Sequence, residues 1–340
     1  MKKTFSLGIC AALLLAATSR SQVVISEINF DAGNGGTQWI ELLNMGSNKV
    51  GLSQWAIYQA TKTPNMANNY WFGFPSGTEI LPGAYLRVHW LSAVIPSTKK
   101  DIWTGNTVYH FLFALKAEPL SQVSGALALF NTQQNIMMND PAAIQDWVSW
   151  GVPGQKRENI AVAGGRWRSG QAAPSPLASD TLSLDYTAAA EPTPASAFFR
   201  DITPTPLAHN HPNARTSTHG SSCAVGNIVA PSLIAASIPA LGNRDYGFRI
   251  APTASGQIVA LALGLSKAGT PIKLGGCSIL IELKLPVIVL STAAKNGSTT
   301  LPANLMSPTL NGGSAEIQAL VIRSPNFALS NGLSMTLGTK

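Results

Sequence analysis

Two glutamates near the start of the chain are the first candidates for chemistry. Glu27 lies in the run ISEIN, and Glu41 lies in the run WIELLN. Two carboxylates held close together could act as an acid–base pair or bind calcium. The alternative is structural: each carboxylate occupies a strand position that faces solvent, or it caps a neighbouring backbone group.

The glycine-rich turn between them, DAGNGG at 31–36, resembles a calcium loop only in part. Its ligands would be Asp31 and two glycine carbonyls, and no bidentate glutamate follows at the required distance. A hairpin turn with glycines at positive φ explains the same residues. We therefore predict no metal site here.

The histidines give a second possible metal site. His209 and His211, with His219 nearby, could share one face of a strand and bind a metal ion. The segment is rich in proline and has no acidic or cysteine partner close by, so we predict a solvated loop. His89 and His110 lie in aromatic strand contexts, and neither has a sequence neighbour suited to orient it as a general base.

Sequence motifs for nucleophiles and cofactors are missing. The chain has no G-x-S-x-G, no phosphate-binding G-x-x-x-x-G-K-[ST], no G-x-G-x-x-G after a strand and no H-E-x-x-H. We predict a non-enzymatic protein with no cofactor. A hydrolase with dispersed catalytic residues, such as a nuclease or phosphoesterase, would escape this search and stays as the alternative.

All eight tryptophans lie between residues 39 and 167. Trp71, Trp90 and Trp103 are the candidates for an exposed aromatic face, which would bind a glycan or a protein. The alternative is that all eight are buried, as most tryptophans are. The tryptophans assigned to the core are Trp39, Trp55 and Trp147.

The N-terminus has the pattern of a secretion signal. A lysine pair follows Met1, an apolar stretch runs from Leu7 to Ala17, and Ser19 and Ser21 suit a cut before Gln22. The apolar stretch is shorter than the ~20 residues needed to cross a bilayer. We predict that residues 1–21 are a signal peptide and that the protein is exported, to the cell surface, the medium or the periplasm.

Charge placement argues against nucleic acid as a partner. The formal net charge is +7 and falls to +4 without the three basic residues of the signal. A nucleic-acid-binding surface needs a dense basic face, and the remaining lysines and arginines are scattered. The expected partner is an extracellular protein or polysaccharide.

Removal of the signal would leave two cysteines, Cys223 and Cys277. Cysteines in an exported chain are usually paired, so we predict a disulfide between them. The alternative is two buried thiols.

The first part of the chain contains five motifs that occur in the same order in a known family. The motifs are VVISEINFDAGNGGTQWIELLN, GLSQWAIY, ILPGAYLRV, DWVSWG and ITPTPLAHN. Together they resemble the lamin tail domain, which implies an immunoglobulin-like β-sandwich. Leu207 stands where the closing motif of the family usually has glycine, and Gln38 replaces its usual acidic residue. Because the family has no hydrolytic activity attributed to this module, we favour the structural role for Glu27 and Glu41.

The region from Cys223 onward resembles a poorly characterised β-sandwich module at the C-terminus of exported bacterial proteins. Its matching pieces include IPALGNRDYGF, GGCSILI and LSNGLSMTLG. The predicted organisation is therefore all-β with two sandwiches: 22–213 lamin-tail-like, 214–222 a flexible linker, and 223–340 a smaller disulfide-bridged sandwich. The predicted function is binding or structural, with accessory membership of a hydrolase system as a further alternative.

Overall fold

A computed structural model describes most of the chain. The described residues are 22–30, 37–60, 69–91, 97–105, 107–110, 118–177, 180–186, 191–210, 213–282, 288–303 and 312–338. The predicted signal peptide, the turn 31–36 and His211 lie outside these ranges. The side chain of His110 is also outside the description.

Two sheets of mainly antiparallel strands form the first sandwich. One has the strand order β13-β12-β1-β2-β7-β8, with β7 and β8 parallel, and the other has the order β11-β10-β4-β5-β9. A two-residue ladder joins β3 to β6, and one short helix, α1 (Glu158–Ala163), follows β11. The strands are β1 Val23–Asn29, β2 Trp39–Asn44, β3 Val50–Gly51, β4 Ala56–Ala60, β5 Asn69–Gly73, β6 Glu79–Ile80, β7 Tyr85–His89, β8 Asp101–Trp103, β9 Tyr109–His110, β10 Gly125–Phe130, β11 Ile144–Trp150, β12 Thr181–Leu184 and β13 Phe198–Asp201.

Strand alternation gives the first sheet an apolar inner face. The register places Leu182, Ile28, Ile40, Val88 and Ile102 side by side on five adjacent strands. All five are buried and, together with side chains from the opposite sheet, form the sandwich core. Successive strand residues point to opposite faces, so the residues between them lie on the outer face.

A β-bulge helps to connect the two sheets. The pairing of β1 with β2 shifts between Ile25 and Glu27, and the Ile25 N–H donates to a carboxylate oxygen of Asp146 in the other sheet at 2.6 Å. Asp146 is almost fully buried, and this burial raises its pKa to about 7. The bulge thus frees one amide for a contact between sheets.

The second sandwich is smaller and also all-β. Its larger sheet has the order β14-β24-β23-β18-β21 with β15 paired to β24, and β16-β17-β22 and β19-β20 form the others. The Cys223–Cys277 disulfide joins β15 to β20 and confirms the predicted pairing. The strands are β14 Arg215–His219, β15 Cys223–Val225, β16 Ser232–Ala235, β17 Gly247–Thr253, β18 Ile258–Gly264, β19 Lys267–Leu274, β20 Cys277–Ile281, β21 Ile288–Ala293, β22 Gly297–Pro302, β23 Ser314–Arg323 and β24 Asn326–Thr336.

The segment that we predicted as a flexible linker is ordered secondary structure. Within 214–222, β14 pairs with β24 in five consecutive register positions. Its alternating Thr and Ser side chains suit an exposed strand as well as a linker, and only the pairing partner, more than 100 residues away, distinguishes the two. The linker prediction is therefore wrong for this stretch.

The edge strand β13 of the first sandwich is covered by the second sandwich. Asp201 forms a bridge with Asn243, and the Arg244 N–H donates to the Arg200 carbonyl at 3.0 Å. A small hydrophobic cluster lies at this junction and consists of Phe199, Ala214, Ile238 and Ala240.

Two ion pairs reinforce the junction between the sandwiches. Arg200 contacts Asp245 at 2.6 Å, and Arg244 donates to Asp180 at 2.9 Å. The Asp180 side chain is fully buried, so its carboxylate depends on the partner from the second sandwich.

Candidate functional site

A row of polar side chains crosses the outer face of the first sheet. The register aligns Ser183, Glu27, Glu41, Arg87 and Asp101 on five adjacent strands. Cross-strand partners share one face of a sheet, so these side chains form a continuous line. We call this line the polar row, and we call Glu27 with Glu41 the carboxylate pair.

Glu41 is fully buried beneath residues 203–210, which we call the closing segment. The Leu207 N–H donates to one carboxylate oxygen of Glu41, and the Ser26 hydroxyl donates to the other at 2.8 Å. The Asn210 side-chain amide donates to the Ser26 carbonyl at 3.2 Å. These contacts connect the closing segment to β1 and β2.

Glu27 is buried just as completely. Its Oε1 accepts hydrogen bonds from the hydroxyls of Thr181 at 2.9 Å and Ser183 at 3.0 Å. Its Oε2 accepts a longer bond, 3.4 Å, from the Thr205 N–H of the closing segment. The carboxylate pair is therefore held by donors from β12 and from the closing segment.

Burial sets the protonation of the carboxylate pair. Loss of hydration and then the charge of Glu41 raise the pKa of Glu27 to about 8. Burial also raises the pKa of Glu41 to about 7, against the hydrogen bonds from Leu207 and Ser26 and the charge of Arg87. Burial thus favours the protonated form of both carboxyls, and a charge on Glu41 further disfavours ionisation of Glu27.

The burial of the pair corrects one of our two structural predictions. The glutamates do not face solvent, whereas acceptance of a backbone N–H, the second structural alternative, describes Glu41. Tyr85 and Tyr186 flank the pair, and burial raises the pKa of both phenols. The carboxylate pair is closed off from solvent, and donors of the chain itself occupy its oxygens. We infer that the pair positions the closing segment, because a substrate cannot reach it.

A second cluster lies at the edge of the same sheet, around His89. The Thr37 hydroxyl is 2.9 Å from His89 Nδ1, and His89 Nε2 is 2.9 Å from the Asp101 carboxylate. Arg87 donates to the same Asp101 oxygen at 2.7 Å. Trp103 stacks on the imidazole with ring centroids 3.5 Å apart and an interplanar angle of 5°.

The His89 cluster was missed by the sequence analysis. We had searched for orienting groups among sequence neighbours, but Thr37 and Asp101 reach His89 through the pairing of β2, β7 and β8. Burial lowers the pKa of His89, although the hydrogen bond to Asp101 opposes this shift. In the order hydroxyl, imidazole and carboxylate, the hydroxyl would be the nucleophile of a hydrolase, the imidazole its general base and the carboxylate the group that orients the base.

The three tryptophans predicted as a binding face are not assembled into one. Trp90 is buried at 2% exposure, and its indole N–H donates to Gln59 at 3.1 Å, so this part of the prediction is wrong. Trp71 lies on β5 in the other sheet and packs partly against the core, while Trp103 covers His89. Sequence alternation could not show which strand faces are covered.

The histidines of the other possible metal site are also separated. The His209 ring packs edge-on against Tyr85 and Tyr186, with centroids 5.7 and 5.2 Å away. His219 lies in β14 and contacts Glu316 at 2.9 Å. Among the described residues, no three His, Cys, Asp or Glu side chains form a group that could hold a metal ion.

An open groove lies beside the polar row and could receive a ligand. Its volume is ≈ 860 Å³, within the range of about 300–1,000 Å³ usual for ligand sites. One wall is the turn 75–83, the other is the segment 97–100, and the floor includes Tyr85, Leu86 and Ile102. Leu207 of the closing segment also contributes to the lining. We refer to this feature as the groove.

The two facing sheets, the sealed carboxylate pair and the closing segment define an immunoglobulin-like β-sandwich. Residues 16–150 match the family model of the Lamin Tail Domain. This match ends with β11 and supports the assignment to the lamin tail domain family that the motifs predicted. No curated protein matches the chain. The resemblance of the second sandwich to C-terminal modules of exported proteins stays a prediction.

No helix in the described part of the chain is both long enough and apolar enough to cross a membrane.

Proposed function

We propose that this protein is an exported, non-catalytic binding protein whose lamin tail domain contacts a protein or polysaccharide outside the cytoplasm. The observation that supports it best is the contrast between the sealed carboxylate pair and the open groove of the same domain. The buried acids hold the closing segment against the sheet, and the groove offers surface for a ligand. The signal-like N-terminus and the disulfide support a site of action in an oxidising compartment.

Export and binding are tested with the full chain expressed from its own N-terminus in a secreting bacterium. We expect protein recovered outside the cytoplasm to begin at Gln22 and to sediment with intact cells or with isolated envelope material. Protein that keeps Met1 and stays in the cytoplasm would contradict the prediction that the protein is exported. Exported protein that binds neither cells nor secreted material would overturn the binding role.

A hydrolase is the second candidate, and the His89 cluster is the observation that favours it. Thr37, His89 and Asp101 form a hydrogen-bonded chain of the order used for nucleophilic catalysis. Three features oppose it: His89 is only 5% exposed, Trp103 covers one face of its ring, and Arg87 engages the Asp101 oxygen. A cluster with these properties fixes the edge strand β8 to β7.

The two candidates are separated by assays with p-nitrophenyl acetate and bis(p-nitrophenyl) phosphate. The binding role predicts the same background hydrolysis for the wild type, Thr37→Val and His89→Gln. Turnover by the wild type that both variants lose, with unchanged tryptophan fluorescence, would establish the hydrolase instead.

A further inference from the structure

The floor of the groove contains a sheet edge beside which the described part of the chain places no strand. Hydrogen bonds from β7 alternate between its two neighbours: the Arg87 N–H donates to the Lys100 carbonyl on the β8 side, and the Ala84 carbonyl accepts from Asn44 of β2. By this alternation the Tyr85 N–H and carbonyl point to the β8 side. The strand β8 begins opposite Arg87, two residues too late to reach Tyr85.

The segment before β8 turns away from β7 and leaves this edge open. The Thr98 N–H donates to the Asp101 carbonyl, and the Thr98 hydroxyl accepts from the N–H of Lys100 and of Asp101. These bonds close a local turn in place of further pairing with β7. Within the described residues, no hydrogen bond occupies the Tyr85 main chain on this side, so the groove contains one free donor and one free acceptor.

The charge beside this edge is positive. Lys99 and Lys100 are exposed on the wall of the groove, and neither ammonium group forms an ion pair with a described residue. Glu79 on the opposite wall is already paired with Lys49 at 2.8 Å. Leu81, at 55% exposure, adds an apolar surface to the turn.

We propose that the groove binds an extended, acidic peptide segment, which pairs with the main chain of Tyr85. Its carboxylates contact Lys99 and Lys100, and its apolar side chains pack on Leu81. An unpaired N–H beside an unpaired carbonyl on a sheet edge matches the donor and acceptor spacing of an extended peptide backbone. The inference rests on the proposed binding function and specifies the chemistry of the partner.

The test uses the full exported chain and fluorescein-labelled pools of octapeptides, measured by fluorescence anisotropy. One pool has glutamate fixed at alternate positions, a second has lysine there, and a third is the glutamate pool with N-methylated backbone amides. We expect saturable binding of the glutamate pool alone. N-methylation should abolish it because the methyl groups block strand pairing.

Two double variants, one at the groove and one in the second sandwich, test whether the charges of Lys99 and Lys100 matter for binding. Lys99→Glu with Lys100→Glu should weaken binding of the glutamate pool by about tenfold, because two attractive charge contacts become repulsive. Lys267→Glu with Lys295→Glu, exposed positions in the second sandwich, should leave the affinity unchanged. Circular dichroism confirms that the variants are folded.

Three outcomes would overturn the proposal. They are the absence of saturable binding by the glutamate pool, equal binding of the N-methylated pool, and the same affinity in both double variants. Sodium polygalacturonate that binds through Lys99 and Lys100 in place of the peptide would identify an acidic glycan site instead. Cell binding by the same variants is measured in parallel: if it persists while peptide binding fails, only this inference is lost.

Discussion

Replacement of Glu27 by glutamine should change how the stability of the first sandwich depends on pH. In the folded protein the pKa of Glu27 is about 8, against an ordinary value of 4.5. The folded state therefore holds a proton that the unfolded chain releases between these two values. The contribution of this group to the free energy of unfolding is complete below pH 4.5 and is lost as the pH rises to 8.

The size of the change in unfolding free energy follows from the pKa shift of Glu27. Each pKa unit corresponds to 1.36 kcal/mol, so 3.5 units give an upper figure of ~5 kcal/mol between pH 4.5 and pH 8. Glutamine keeps the shape of the protonated acid and cannot ionise. Glu27→Gln and the wild type should be similarly stable at pH 5, and the variant should be more stable by several kcal/mol at pH 8.

Urea unfolding followed by tryptophan fluorescence measures this directly, because all eight tryptophans lie in the first sandwich. The measured quantity is the difference in unfolding free energy between variant and wild type from pH 5 to pH 9. Glu79→Gln is the control: this exposed carboxylate has its pKa lowered by Lys49, so it should not produce an alkaline difference. Parallel pH profiles for Glu27→Gln and the wild type would refute the reasoning.

Three further substitutions test other parts of the structure. Joint replacement of Cys223 and Cys277 by serine should cost the second sandwich up to about 4 kcal/mol, since the bridge spans 54 residues; calorimetry would measure it. Leu207→Gly should stabilise by about 0.5–1 kcal/mol, because Leu207 has φ 60° and glycine relieves left-handed strain of about 1–2 kcal/mol at some cost in chain entropy. A lower urea midpoint for this variant would contradict that balance. Arg244→Gln should cost about 1–3 kcal/mol because the buried Asp180 carboxylate loses its hydrogen-bonded cation, and unchanged thermal unfolding would count against this role.

The fold class could be predicted from sequence because its signals are local. Short β-branched and aromatic runs bounded by turn residues specify strands without reference to the rest of the chain. The motif series placed the first sandwich in its family, and the missing glycine at Leu207 pointed to a position where φ is in fact positive. The disulfide followed from the number of cysteines and the predicted compartment.

The strand faces could not be predicted in the same way. Alternation shows that neighbouring residues lie on opposite faces, but not whether the outer face is later covered. Trp90 is buried for this reason, although its sequence context resembles that of an exposed aromatic. The linker prediction failed similarly, since β14 becomes a strand only through its pairing with β24.

The carboxylate pair shows most clearly what depends on the tertiary structure. A glutamate among apolar residues of a strand normally marks the solvent face, yet β1 is buried along almost its whole length. The groups that make this burial tolerable are the amides of the closing segment, more than 160 residues further on, and hydroxyls of β12. Glu41 and the backbone conformation at Leu207 are therefore one structural unit. A change that moves the Leu207 N–H should destabilise the protein more at alkaline pH than at acidic pH, because only the ionised carboxylate relies fully on that donor.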